Sequence, residues 1–400
     1  MNKLNVKISR SIIFEPLFVF SGIWLFVLVL YGLQYSSLLI FEFIDVAMYV
    51  LFIIGSFFVG WLAIFIYEGR FHSRVVGLNI ERYDLKINLS DNFLLRLKLK
   101  IRCFFGIWLL ITLIEIVYCS GVPIVWLILK NGKTYFDFGL PSVHGFLNSL
   151  LLTLSLVSYF VYVYTGERKY LLVPVFTCLW SVIVISRNLL IVNIFQLILI
   201  HFSFRKMNLK KIFPVVVLFL FLIFIFGVVG DARSGRDAFL ALAMATDNYP
   251  TWLPSGFLWV YMYLTTPVNN LVNAFVNSVP NYDWSLREST SMLLPSVIRG
   301  MIYSDNYANF TQNLVSEAFN VSSAFINPYK DIGAFGVFFL ASIAGFFSRV
   351  FYKNRTPFAF FGFAILSQCN ILSVFYNHYM YLPVVFQLVL VRFVFLGNFK

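Results

Sequence analysis

The sequence predicts an all-α polytopic membrane protein of about ten transmembrane helices. Of its 400 residues, 60% are hydrophobic and only 12% are charged, and the mean hydropathy is +0.83. A soluble protein of this length needs far more polar surface, so lipid is the expected solvent. Apolar runs of about 20 residues recur along the chain, and each matches the roughly 30 Å hydrocarbon core at about 1.5 Å per helical residue.

Ten hydrophobic runs form the predicted transmembrane helices. They are residues 12–31, 46–67, 103–119, 144–163, 170–186, 188–203, 212–229, 333–350, 357–375 and 380–397. The fifth and sixth runs are each short for a full crossing, and little more than Arg187 separates them. These two runs therefore predict either two short crossings or an interrupted one.

Positive charge predicts the orientation of these helices. Most of the 30 Lys and Arg residues lie in alternate connections, on one side of the predicted bundle. These residues are Lys3, Lys7, Arg10, Arg70, Arg74, Arg82, Lys86, Arg96, Lys98, Lys100, Arg102, Arg168, Lys169, Arg205, Lys206, Lys210, Lys211, Arg349, Lys353, Arg355 and Lys400. Because cytoplasmic connections are enriched in Lys and Arg, this side and both termini are expected to be cytoplasmic. Topology then explains the net charge of +12, and nucleic-acid binding is not expected.

Hydropathy divides the chain into three regions. Residues 1–230 form an N-terminal transmembrane bundle of about seven helices, and residues 332–400 form about three C-terminal helices. Between them, residues 231–331 form a large periplasmic loop, far longer than an ordinary connection. A loop of this length is expected to carry function rather than merely to join two helices.

Two outward segments are expected to interact with the membrane surface. In the large loop, prolines separate three predicted amphipathic helices, at 236–245, 257–264 and 269–279. Pro267 is expected to end the second of these helices. The segment 120–142 mixes Gly and Pro with a short apolar stretch, which indicates a chain that dips into the interface.

The large loop contains four arginines and a single lysine, Lys330. The arginines are Arg233, Arg236, Arg287 and Arg299. The planar guanidinium fork keeps its charge and donates paired hydrogen bonds to phosphate oxygens. An electropositive pocket at a membrane surface suits a lipid-linked pyrophosphate, whose oxygens need charge stabilisation when a sugar departs. The alternative is that these arginines are headgroup anchors or members of surface ion pairs.

Three residues are candidates for a general base that deprotonates a sugar hydroxyl: Glu317, Asp331 and His144. His144 begins a predicted span, and imidazole suits proton transfer, although a structural role is the more common one for such a histidine. Asp331 opens another span, where capping of the helix alone would explain it. Glu317 precedes a polar stretch, where solvation is the alternative account.

Several absences narrow the chemistry. The sequence contains no HExxH motif and no Asp-x-Asp pair, so neither a zinc site nor metal-held nucleotide-sugar chemistry is indicated. No cofactor or metal is expected. The cysteines lie in or beside apolar runs, without metal-ligand or disulfide spacing. Charges within the spans are Glu15, Glu115 and Arg392, fewer than a proton-driven transporter usually carries.

Three short segments carry a resemblance to a known family. The stretch 327–336 reads Asn-Pro-Tyr-Lys-Asp-Ile-Gly-Ala-Phe-Gly and opens a predicted span at the end of the large loop. The stretch 259–271 contains Tyr-x-Tyr, a proline and an Asn-Asn pair, and 135–139 reads Tyr-Phe-Asp-Phe-Gly ahead of His144. With the late, arginine-bearing outward loop, these segments resemble Wzy-type O-antigen polymerases, the oligosaccharide repeat unit polymerases.

The resemblance implies a fold like that of the GT-C-type glycosyltransferases, which use lipid-phosphate-linked sugars. It implies a polymerase of lipopolysaccharide biosynthesis in a bacterial inner membrane. The growing glycan, carried on undecaprenyl pyrophosphate, would be transferred onto a newly delivered lipid-linked repeat unit. The sugar–pyrophosphate bond would supply the free energy without ATP or a nucleotide sugar. A chain-length regulator protein is a further partner that the family likeness implies.

Two other functions stay open. An O-antigen ligase would use the same donor but transfer the glycan to a lipid A–core acceptor. A flippase of lipid-linked oligosaccharides would need charged residues along its spans and short loops. The sequence shows the reverse of the flippase pattern, with few charges in the spans and one long loop.

Overall fold

The computed structural model describes residues 6–10, 14–71, 83–87, 89–204, 235–303, 314–354 and 356–397, with isolated positions between 213 and 231. The described chain is almost entirely helical, as the sequence predicts. The helices are α1 (Pro16–Tyr31), α2 (Phe43–Phe71), α3 (Asp91–Cys119), α4 (Pro123–Leu129), α5 (Val143–Thr165), α6 (Leu172–Ile183), α7 (Arg187–Phe204), α8 (Arg236–Leu242), α9 (Ser255–Asn277), α10 (Arg287–Thr290), α11 (Ser296–Ile302), α12 (Ile326–Lys353), α13 (Pro357–Leu372) and α14 (Leu382–Val389). A π-helical turn, Leu390–Leu396, continues α14, and short 3₁₀ helices lie at Tyr135–Asp137, Arg168–Leu171, Ser291–Leu293 and Glu317–Phe319.

Four of the described helices are long and apolar enough to cross a membrane. They include all or part of α2, α3, α5 and α12. Shorter apolar helices lie in four further predicted spans: α1, α7, α13 and α14 with its π-helical turn. The predicted span 170–186 contains α6, which has only 12 residues, and the predicted span 212–229 falls mostly outside the described residues. The chain is a helical membrane protein.

A two-stranded antiparallel sheet interrupts this helical pattern. Strand β1 (Val6–Arg10) pairs with β2 (Tyr83–Ile87), with Val6 opposite Ile87 and Arg10 opposite Tyr83. The sequence analysis did not predict it. The sheet joins the chain ahead of α1 to the connection between α2 and α3.

The buried apolar side chains form two clusters. One lies among α3, α5, α6, α7, α13 and α14. The other lies mainly among α1, α2, α9 and α12. Helix α9 belongs to the segment that the sequence assigned to the large loop, so part of that loop is packed into the protein interior.

Two glycines let α2 and α12 pack backbone against backbone. A Cβ atom on Gly60 would lie 1.7 Å from the carbonyl oxygen of Ser342, and one on Gly345 would lie 2.1 Å from that of Phe57. Such contacts leave no room for any side chain. The Ser342 hydroxyl donates a hydrogen bond of 2.9 Å to the carbonyl of Ser56, which fixes the register of the two helices.

Helix α9 corrects the prediction that Pro267 separates two surface helices. It runs without interruption from Ser255 to Asn277, with Pro267 inside it, and most of its second half is buried. Asn269 is fully buried, accepts a 2.8 Å hydrogen bond from the Tyr31 hydroxyl and donates one of 3.0 Å to the carbonyl of Leu38. Contacts with α1 therefore hold α9 in the interior, and the surface location expected for this part of the loop is wrong.

Candidate functional site

A break in α12 shapes the site. Gly333 adopts φ 67° and ψ −149°, values that only glycine takes up readily, and this interrupts the helix. The carbonyls of Lys330 and Asp331, at the break, accept hydrogen bonds from the backbone N–H groups of Asn281 (2.7 Å) and Asp283 (2.8 Å). The break thereby attaches the large loop to the bundle.

The side chain of Asp331 continues this attachment. It is fully buried, and its Oδ1 accepts a 2.8 Å hydrogen bond from the N–H of Glu288. Its Oδ2 accepts from the N–H of Ser289 at 2.8 Å and from the Ser289 hydroxyl at 2.6 Å. The carboxylate thus holds the start of α10, and three donors occupy the oxygens that a general base would need. A role as general base stays a prediction for Asp331, whereas its structural role is explicit in these contacts.

Two of the predicted arginines lie on the short helices of this attached segment. Arg287 begins α10, and its guanidinium carbon lies 4.8 Å from the ring centroid of Tyr303. Arg299 lies on α11, and its Nη1 is 3.2 Å from the sulfur of Met292. Among the described residues, Arg299 forms no ion pair with a carboxylate.

Helix α11 is joined to the start of α5 by a reciprocal pair of hydrogen bonds. The N–H of Ser142 donates to the hydroxyl of Ser296 (2.9 Å), and the N–H of Val297 donates to the hydroxyl of Ser142 (3.0 Å). His144 follows Ser142 by two residues, and Arg299 lies about one turn along α11 from Ser296. The fold thus places the start of α5, which carries His144, beside α11, which carries Arg299 and lies far away in the sequence. We call this end of the bundle, with segments 120–142 and 281–303, the loop face.

The imidazole of His144 is held by a buried carboxylate. Its Nδ1 lies 3.2 Å from Oε2 of Glu115, whose side chain is only 1% exposed, whereas that of His144 is 28% exposed. The rings of His144 and Phe138 are nearly perpendicular, at a centroid distance of 5.4 Å. A Cβ on Gly139 would lie 2.4 Å from Cγ of His144, so the ring lies against the bare glycine. The imidazole is thereby held at the loop face while its side chain stays partly exposed.

Two carboxylates near the site form turns of the loop segments. The hydroxyl and N–H of Ser285 donate to Asp283 and lower the pKa of its carboxyl group. The N–H and hydroxyl of Thr134 do the same for Asp137, whose pKa is likewise lowered. Both groups thus stay ionised and serve the local turns.

The other predicted site residues lie outside segments 120–142 and 281–303. Arg236 donates to the carbonyls of Thr251 and Pro250 (the latter at 3.2 Å) and lines an open cleft of about 700 Å³ beside α8. Glu317 is exposed at the start of a 3₁₀ helix. No described contact joins either residue to His144. Arg233 lies outside the described residues.

A second polar group lies where α7 begins. Nε2 of His378, between α13 and α14, is 2.8 Å from Oδ1 of Asn188. Burial lowers the pKa of His378 to about 4, so the ring is neutral at physiological pH. Arg187, the residue before Asn188, places its guanidinium carbon 5.9 Å from the ring centroid of Tyr263. Neither Arg187 nor His378 was a predicted site residue.

Beside His378 lies an apolar cavity of about 310 Å³ between α12, α13 and α14. Apart from His378 and Tyr379 at one end, nearly all of its lining is apolar, including Phe347, Leu366 and Leu388. The composition of this cavity suits a hydrocarbon chain.

Glu115 and the two serines of the α5–α11 contact belong to the candidate site but were not among the site residues that the sequence predicts. Glu115 carried a usable signal, because an ionisable residue within an apolar span is by default a candidate for function. Ser142 and Ser296 carried none, since serines in loops are common and their pairing depends on the fold. Among the described residues, no three His, Cys, Asp or Glu side chains are grouped as metal ligands.

Comparison of the chain with protein-family models, curated proteins and solved structures finds no match.

Proposed function

We propose that the chain is a glycosyltransferase of a bacterial inner membrane that polymerises oligosaccharide repeat units carried on undecaprenyl pyrophosphate. In this proposal about ten helices cross the membrane, both termini are cytoplasmic, and the loop face is periplasmic. The architecture would be that of a GT-C-like enzyme. The single observation that carries the proposal is the Ser142–Ser296 contact, which brings a carboxylate-held histidine next to an arginine-bearing helix.

The residues of the loop face suit each requirement of this transfer. The anomeric carbon of the donor glycan loses its bond to a pyrophosphate oxygen and gains one to a hydroxyl oxygen of the acceptor sugar. Arg299 and Arg287 would stabilise the negative charge that develops on the departing pyrophosphate. His144 would accept the proton that the hydroxyl loses. Of the three predicted bases, His144 alone combines partial exposure with a buried carboxylate partner.

The apolar cavity beside His378 supports a membrane-borne substrate. Its lining by α12, α13 and α14 offers hydrocarbon contacts within the helical bundle. The occupant that the proposed reaction implies is part of the isoprenoid chain of the lipid carrier.

The proposal is tested by complementing a deletion strain and resolving its surface polysaccharide on a gel. A polymerase deletion should leave single repeat units on the core, and the wild-type gene should restore a ladder. Arg233→Ala, Arg287→Ala, Arg299→Ala and His144→Ala should insert normally but make no ladder. Arg168→Ala, which alters an exposed arginine outside the loop face, is the matched control and should make a normal ladder.

Other outcomes would contradict the proposal. Polymer that accumulates on undecaprenyl carrier in the deletion strain would identify a ligase instead. Repeat units trapped on the cytoplasmic side would identify a flippase. Normal ladders from Arg287→Ala, Arg299→Ala and His144→Ala would show that the loop face does not carry the chemistry.

A further inference from the structure

Each carboxylate oxygen of Glu115 has one hydrogen-bond partner. Oε1 lies 2.9 Å from the backbone nitrogen of Leu140, and Oε2 lies 3.2 Å from Nδ1 of His144. The N–H of Leu140 can only donate, so Oε1 must accept. A carboxylate offers a second acceptor at Oε2, and the hydrogen between Oε2 and the imidazole then belongs to Nδ1.

The surroundings of His144 prevent its ring from exchanging the two nitrogens. Gly139, at φ 107°, leaves just enough space for the ring, and the ring of Phe138 packs against it nearly perpendicularly. The N–H of Gly139 is in turn 3.2 Å from the sulfur of Cys119, which fixes that glycine against α3. Among the described residues, Nε2 of His144 has no hydrogen-bond partner, and the side chain is 28% exposed.

We propose that Glu115 is a positioning residue that holds His144 in the tautomer with hydrogen on Nδ1, so that the lone pair of Nε2 accepts the proton of the acceptor sugar. This inference rests on the proposed function. The sugar O–H bond breaks, its proton moves to Nε2, and the oxygen bonds to the anomeric carbon as the pyrophosphate leaves with the bonding electrons. The imidazolium that forms lies against the Glu115 carboxylate, which stabilises it.

The variant Glu115→Gln separates orientation from packing. An amide of nearly the same shape offers one acceptor oxygen, which the N–H of Leu140 requires. Its NH₂ group must then face Nδ1 of His144 and donate to it. The hydrogen of the neutral imidazole moves to Nε2, and the atom that should accept the proton becomes a donor.

The test reads the tautomer directly. The protein is labelled with ¹⁵N-histidine, held in lipid vesicles and examined by solid-state NMR at about pH 9, where free imidazole is neutral. The variant His144→Gln identifies the signals of His144 among the four histidines. The wild type should show a protonated Nδ1 and an unprotonated Nε2, and Glu115→Gln should show the reverse. A wild-type ring protonated at Nε2 would overturn the inference, even if the variant failed to fold.

The same preparations distinguish this inference from the proposed function. With lipid-linked repeat units as substrate, Glu115→Gln should lower kcat by about 10²–10⁴-fold, the usual contribution of a general base, and leave KM nearly unchanged. A variant with inverted tautomer and wild-type kcat would overturn the positioning role. If the wild type shows the expected tautomer but transfers no glycan, the proposed function fails while the hydrogen-bonding role of Glu115 stands. The control Glu317→Gln alters an exposed carboxylate and should leave the His144 tautomer unchanged.

Discussion

The carboxylate of Asp331 binds Ser289 twice, through its backbone N–H at 2.8 Å and through its hydroxyl at 2.6 Å. The two residues are 42 positions apart in sequence. Through this contact a fully buried aspartate at the break of α12 holds the start of α10, which carries Arg287. The position of Arg287, a predicted phosphate-binding residue, therefore depends on Asp331, which the sequence predicts as a candidate general base.

Substitution of Asp331 by Asn should release the loop segment from the bundle. Asn supplies one acceptor oxygen for three donors and adds a buried NH₂ group, and each unsatisfied group costs about 1–3 kcal/mol. We expect residues 281–303 to become susceptible to protease in vesicles, and the glycan ladder to be lost. Asp283→Asn is the control, since among the described residues the side chain of Asp283 accepts its hydrogen bonds from the neighbouring Ser285. Equal protease resistance in Asp331→Asn and wild type would contradict the anchoring role.

Substitution of Gly60 by Ala should force α2 away from α12. The new Cβ would lie 1.7 Å from a backbone oxygen, which cannot move without shifting the helix. Overpacking of this kind costs about 1–3 kcal/mol or more, so the Tm in detergent should fall. Gly55→Ala, on the same helix with nothing within 4 Å, should leave the Tm unchanged or raise it slightly. Equal Tm values for Gly60→Ala and Gly55→Ala would contradict the close approach of α2 and α12.

The buried ion pair of Glu15 and Arg349 should be sensitive to removal of one partner. Arg349 is 3.7 Å from Oε1 of Glu15, lies over the ring of Trp61 at 4.1 Å, and has a side chain only 4% exposed. Trp61 also donates to Glu15. Arg349→Met leaves a buried carboxylate without its cation, at a cost of about 3–5 kcal/mol.

A double-mutant cycle measures this coupling. Glu15→Gln combined with Arg349→Met should be less destabilised than the sum of the two single variants. If the destabilisation of the double variant equals the sum of the two single variants, the two charges do not interact.

A pH dependence should arise at Glu167, which binds Lys169 at 2.6 Å and also binds Lys98. The hydrogen bond from Lys169 has the largest effect in lowering the pKa of Glu167, and that from Lys98 lowers it further. A lowered carboxyl pKa contributes stability that is complete above about pH 4.5, the usual range of the group, and is lost as the pH falls through the lowered value. The Tm difference between wild type and Glu167→Gln should therefore shrink on acidification. Because the pair is partly exposed, the effect should be small and weaker in high salt. A difference that is independent of pH would contradict the pairing.

Composition and periodicity could predict the helical membrane fold, because the bilayer imposes length and hydropathy on each crossing. The same signals placed most of the described helices. They could not predict β1 and β2, because the two strands are far apart in sequence and no local turn connects them. Pro267 misled the prediction, since the lost backbone hydrogen bond is tolerated where Asn269 and neighbouring side chains hold α9 in the interior.

The candidate site was predictable only in part. His144, Asp331, Arg287 and Arg299 attracted attention by residue type, and the structure places all four at the loop face. The contacts that unite them pass through backbone groups and serines, whose pairing is set by tertiary structure alone. The sequence could not show that Asp331 anchors the loop segment while His144 is the better candidate for the general base.

The most direct test of the account uses purified protein in vesicles supplied only with repeat units linked to undecaprenyl pyrophosphate. The account predicts a ladder of polymer and release of undecaprenyl pyrophosphate without ATP or nucleotide sugar, and neither product from the folded variants His144→Ala and Arg299→Ala. Unchanged repeat units with folded wild-type protein, or equal ladders from both variants, would contradict it.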